Sequence, residues 1–92
     1  MQESKVEKRL KAEAEKRGGK AIKIKGIMFN GMPDRLVLLP EGRIGFAELK
    51  TTGKKLSPRQ EYVYGLLTGL GFMVRRIDSV EGIAEFFKDL TK

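Results

Sequence analysis

Histidine, cysteine and tryptophan are all absent from this chain of 92 residues. Without cysteine there is neither a disulfide framework nor a thiolate zinc site. Without histidine the usual general base and the commonest metal ligand are gone. Ser-His-Asp and Cys-His catalysis, HNH-type chemistry and zinc hydrolases are excluded on composition alone. No run approaches the roughly 18 apolar residues of a membrane helix. The charged start "MQESKVEKRL" has no apolar core of the kind a signal peptide needs, so a cytoplasmic location and no membrane partner are expected. Repeats, low-complexity tracts and linkers are missing too. Residues 1–92 are therefore expected to form a single small domain, burying about 60–65% of its unfolded surface.

Positive charge is plentiful: 19 Lys and Arg stand against 12 Asp and Glu, a net +7. It is unevenly spread. Residues 1–25 hold nine basic side chains against four acidic, and residues 51–76 five against one. Residues 26–50 balance at three each, and 77–92 are net acidic, two against four. Net charges of this size are common in small soluble domains. A local basic excess also suits a polyanion, nucleic acid above all. Composition does not choose between the two.

From Glu3 to Arg17 the residues are helix formers with Val6, Leu10 and Ala14 four apart, and Gly18-Gly19 supplies the left-handed stop. Ala21, Ile22 and Ile24 among lysines predict a short strand, which "GIMFNGMP" breaks. The stretch "PDRLVLLPEGRIGFAELK", Pro33 to Lys50, reads as a β-hairpin. "SPRQ" opens a second helix with Ser57 as N-cap, Pro58 at N1 and Gln60 at N3, the capping-box pattern. Val63, Leu66, Leu67 and Leu70 are expected to form its apolar face. Gly71 ends it, "FMVRRI" is a strand, and Ser79 caps a last helix with Val80, Ile83, Ala84, Phe87 and Leu90 at helical spacing. The order αβββαβα defines an α/β fold.

Two smaller features have plain readings. "TTGKK" is not a phosphate-binding loop, because that pattern needs glycine where Glu48 stands and Ser or Thr where Lys55 stands. Gly65 and Gly69, one helical turn apart, permit close packing against another chain or merely loosen the helix.

The hairpin holds charge where strands avoid it. If Pro40-Glu41-Gly42 is a three-residue link, Leu39 faces Arg43, paired numbers sum to 82, and Asp34 lies opposite Glu48. Cβ atoms so opposed are about 4.5–5.5 Å apart, and like charges there are destabilising. Lys50 falls on the same face as Glu48, about 6.6 Å along the strand. A two-residue link would instead send Asp34 and Glu48 to opposite faces. Glu and Lys two apart on a strand are ordinarily a solvated face. Here Leu36, Val37, Leu38, Leu39, Ile44, Phe46, Ala47 and Leu49 supply apolar side chains to both faces, as in a central hairpin. A hard cation such as Mg²⁺ suits two carboxylates, a backbone carbonyl and waters, and turns the repulsion into coordination.

"PD" followed fourteen positions later by "E-x-K" in this frame resembles the PD-(D/E)XK nuclease superfamily. The segments "ESKVEKRL", "GMPDRLVLL", "FAELK", "LSPRQ" and "GLGF", over nearly the whole chain, resemble its VRR-NUC branch. The resemblance implies a restriction-endonuclease-like αβββαβ core with a mixed central sheet, here with an additional C-terminal helix. It also implies metal-dependent cleavage of DNA phosphodiesters, with Mg²⁺ as the ion and Mn²⁺ as a substitute. By position, Asp34 and Glu48 would ligate metal and Lys50 would act on the attacking water and the phosphate. A helix-one acid would complete the site: Glu3, which the family pattern favours, or Glu7 one turn later. Gln60 matches the family's glutamine after the E-x-K strand, though its capping role explains it as well.

Two functions from different classes follow. The first is a Mg²⁺-dependent endonuclease acting on branched DNA such as Holliday junctions, where a homodimer would place one site on each of two strands. The second is a non-catalytic DNA-binding module with a structural charge cluster. The acid pair with lysine favours the first. In either case Lys5, Lys8 and Lys11 of helix one, Lys54 and Lys55 of the loop, and Arg59 are expected to hold phosphates, with the acidic last helix pointing away.

Overall fold

Val6, Leu10 and Ala14, spaced four apart on α1 (Glu3–Lys16), are fully buried, as a helix with one apolar stripe requires. The structure, a computed structural model, describes residues 3–24, 30–51 and 53–92, with the backbone alone at Glu3 and Ser4. After α1 come β1 (Lys20–Lys23), β2 (Arg35–Leu39), β3 (Arg43–Leu49), α2 (Pro58–Gly69), β4 (Met73–Ile77) and α3 (Val80–Leu90). This is the expected order. The break expected over residues 26–33 falls in part on residues 25–29, outside the described residues.

The strands stand side by side in chain order, β1, β2 and β3 antiparallel and β4 parallel to β3. α2 makes the crossover that a parallel pair needs. In the hairpin Leu39 pairs with Arg43 and Arg35 with Ala47, which is the register of a three-residue link. Pro40-Glu41-Gly42 forms that link with Glu41 (φ 69°) and Gly42 (φ 72°) both left-handed. Glycine adopts this conformation freely, whereas it costs Glu41 roughly 1–2 kcal/mol.

The period of two sorts side chains between the faces. Val37, Leu39, Ala47, Leu49 and Ile77 join residues of α1 and α3 in the main core. On the other face Val63 and Leu67 of α2 cover Val74, with Phe46 against them. Gly45 brings α3 close, since a Cβ there would lie 2.8 Å from Cζ of Phe86.

Two sequence expectations are corrected. On α2, Val63 and Leu67 are buried, but Leu66 is 40% and Leu70 67% exposed. Residues at i and i+4 take the strip over the sheet, and their neighbours about 100° round the helix stay outside it. On α3, Phe86 is fully buried although the periodic set omitted it, and Ala84 is exposed.

The carboxyl ends of β1, β3 and β4 meet the amino end of β2 at one end of the sheet. α2 begins there as well. Asp34, Glu48 and Lys50 of the hairpin lie at that end.

Candidate active site

Asp34 immediately precedes β2, and the register continued by one pair sets it opposite Glu48. Reciprocal bonds fix the two. The Asp34 N–H donates to Glu48 Oε1 at 3.1 Å, and the Leu49 N–H donates to Asp34 Oδ1 at 3.1 Å. Glu48 is 6% exposed, on the α2 face between the buried Ala47 and Leu49 of the main core. Lys50, just past β3, brings its Nζ to 3.6 Å from Glu48 Oε2. Its own N–H donates to the carbonyl of Ile77 at 3.0 Å, tying the strand end to β4.

Gln60 serves two purposes. Its Oε1 accepts from the Ser57 N–H at 2.9 Å, completing the capping box, while its Nε2 donates to Glu48 Oε2 at 3.1 Å. An amide has one acceptor end and one donor end, so the cap fixes which end meets the carboxylate. Cap and site contact are one arrangement.

The acids are not alone in charge. Arg35 NH1 stands 3.4 Å from Asp34 Oδ2, and Arg35 NH2 pairs with Glu7 of α1. Arg35 itself is 5% exposed. Sequence reasoning passed over this residue, whose partners come from separate elements. Glu7 is thus engaged on the α1 face. Among the described residues no group of three acid side chains gathers, and the side chain of Glu3 lies outside the described residues. The donors present, two carboxylates with an amide and backbone N–H groups steadying them, suit a hard divalent cation such as Mg²⁺.

Of the basic residues expected to hold phosphates, Lys54, Lys55 and Arg59 lie on the loop after β3 and the first turn of α2, at this end of the sheet. Lys5, Lys8 and Lys11 are exposed on α1, and Lys54 and Lys55 on the loop before α2. That loop is pinned from β4: Arg76 Nε donates to the Lys54 carbonyl at 2.8 Å, its NH2 shares that oxygen, and its NH1 donates to Asp78 at 2.9 Å. Arg59 donates to the Asn30 carbonyl at 2.9 Å and lies over the ring of Tyr62. Among the described residues no helix is long and apolar enough to cross a membrane.

A mixed sheet with opposed acids, a lysine two residues on and a glutamine from the crossover helix defines a nuclease of the PD-(D/E)XK type. Within it, the chain belongs to the VRR-NUC family. It is 42% identical over 79 residues to a protein named "Putative nuclease p44" from Acyrthosiphon pisum secondary endosymbiont phage 1, covering 86% of this chain and 85% of that one. A solved structure titled "VRR_NUC domain" superposes with a TM-score of 0.86 at 30% identity, covering 94% of both chains. No family model matches the sequence.

Proposed function

We propose that this protein is a Mg²⁺-dependent DNA endonuclease, with Mn²⁺ able to replace Mg²⁺, and that it prefers branched DNA such as Holliday junctions. One observation carries the reading: two carboxylates, Asp34 and Glu48, are locked together at the sheet end with the Lys50 ammonium 3.6 Å from Glu48. A mere DNA binder has no use for opposed acids on the surface that meets phosphate. Asp34 and Glu48, with Glu3 from α1, would hold the ion. When bound, Mg²⁺ supplies an acidified water and neutralises charge on the phosphate oxygens. Lys50 directs its ammonium at the water and at the phosphate oxygens, where charge grows in the transition state. Gln60 keeps Glu48 oriented, and the lysines of α1 and of the Arg76-pinned loop hold the flanking backbone. Because these contacts are to phosphate, they position DNA without reading bases, which favours shape over sequence as the basis of selection.

A homodimer belongs to the same proposal, since cutting both strands of a junction takes two sites. Tyr62 and Leu66 of α2 and Leu70 at its C-cap are 59%, 40% and 67% exposed, and the space above Gly65 and Gly69 is open. A second copy would cover this stripe, and sedimentation velocity is expected to give a dimer.

Incubation with matched duplex, single strand, flap and four-way junction, with and without Mg²⁺, tests the function. The junction should be cut fastest, and nothing should be cut in EDTA. Binding of all four without cleavage in Mg²⁺ or Mn²⁺ would identify a non-catalytic DNA-binding module instead.

A further inference from the structure

A second like-charge pair lies next to the first. Lys23 of β1 is the register partner of Arg35 of β2, and directly opposed like charges are destabilising. Alternation places Lys23 on the same face as Ala21, which packs against the main core beneath α1. From α1 the side chains of Lys8 and Lys11, three apart and so on one face, line the same space. Between them is a cavity of about 320 Å³ lined by Glu7, Lys8, Lys11, Ala21, Lys23 and Arg35. The lining thus holds four cationic side chains and one acid, Glu7, which pairs with Arg35. Among the described residues no carboxylate pairs with Lys8, Lys11 or Lys23.

We propose that this cavity is a phosphate subsite that receives a phosphodiester group of the cut strand, away from the bond that breaks. The inference rests on the nuclease reading above. Arg35 links the two places, lining the cavity while its guanidinium stands 3.4 Å from Asp34 Oδ2. A strand lying along the sheet end from Asp34 toward α1 brings its next phosphates to Lys23, Lys8 and Lys11. The negative charge of a phosphodiester there relieves the repulsion between Lys23 and Arg35 as a cation would relieve that between Asp34 and Glu48. Lysines on an edge strand also discourage pairing with other chains. Lys20 serves that purpose equally, since it is exposed on the same strand and does not line the cavity.

Lys20 therefore supplies the control. DNA affinity would be measured in Ca²⁺ over a salt series for the wild type, Lys23→Ala and Lys20→Ala, using oligonucleotide duplexes with and without terminal phosphates. For Lys23→Ala the slope of log affinity against log salt is expected to become shallower by about 0.9, one phosphate contact. The slope for Lys20→Ala should not change, and the Lys23 effect should be the same with either end chemistry. Equal losses for the two variants would reduce the cavity to diffuse charge and overturn the subsite. So would a Lys23 effect confined to DNA with terminal phosphates, which would make it a strand-end site. Wild-type protein that binds no DNA would instead overturn the nuclease reading on which the subsite stands.

Discussion

Two cross-strand pairs of like charge sit at the same end of the sheet and differ in nearly everything else. Asp34 and Glu48 join β2 to β3, are tied to each other by backbone N–H groups, and are steadied by Gln60 of α2. Lys23 and Arg35 join β1 to β2 on the α1 face, where only Arg35 is buried and paired with an acid. The acid pair is rigid and the basic pair is half open. A metal site, as proposed for the first pair, must place its donors within a few tenths of an ångström, and hydrogen bonds hold both carboxylates in place. A backbone phosphate, as proposed for the second, can be held by long, solvated side chains.

The largest effects should come from the acid pair. Lys50→Ala is expected to lower cleavage by about 10²- to 10³-fold, with DNA affinity in Ca²⁺ and the melting temperature nearly intact. Retained Mg²⁺-dependent cutting would remove the role given to this lysine. Asp34→Asn should lose Mn²⁺ binding by calorimetry together with activity, yet should not lower Tm in EDTA, because the carboxylate repulsion is relieved.

Gln60 sharpens the comparison one step lower. Ser57→Ala removes only the Oγ that accepts from the Gln60 N–H, leaves the backbone N–H that holds Gln60 Oε1, and should cost about 1 kcal/mol of stability with activity unchanged. Gln60→Ala removes the Glu48 contact as well and should reduce activity or metal affinity about 10- to 100-fold. Equal activities for the two variants would leave Gln60 as a cap alone.

On the phosphate side, replacing Lys54 and Lys55 together by alanine should make the salt slope shallower by up to about 1.8. Removing Lys88 and Lys92 should leave it unchanged. A large loss from the second pair would place DNA on the wrong side of the molecule. The smallest effect concerns the link that sets the register. Glu41→Asn, which suits φ 69°, should raise stability by about 0.5–1 kcal/mol, read as a rise in Tm of a few degrees.

The acid pair was legible in the sequence because a short link between two strands fixes their register arithmetically. Pro40-Glu41-Gly42 sets Asp34 against Glu48 from the sequence alone. The same arithmetic was not open for Lys23 and Arg35, since residues 24–34 separate the two strands and a connection of that length sets no register. Arg35 and Arg76 were missed for a related reason. Each is defined by a partner far along the chain, Glu7 for one and the Lys54 carbonyl for the other. Periodicity identified the apolar residues of α2 but not which of them meet the sheet, because Leu66 and Leu70 satisfy the same spacing as Val63 and Leu67. For Gln60 the cap is present, and it leaves the donor end of the same amide on Glu48 Oε2, so the capping role does not exclude a role in the site.

The most direct test of the central claim is anomalous diffraction from a crystal soaked in Mn²⁺. The account predicts a peak between the carboxylates of Asp34 and Glu48. A fully occupied Mn²⁺ elsewhere, or no peak between these two side chains at millimolar Mn²⁺, would contradict it.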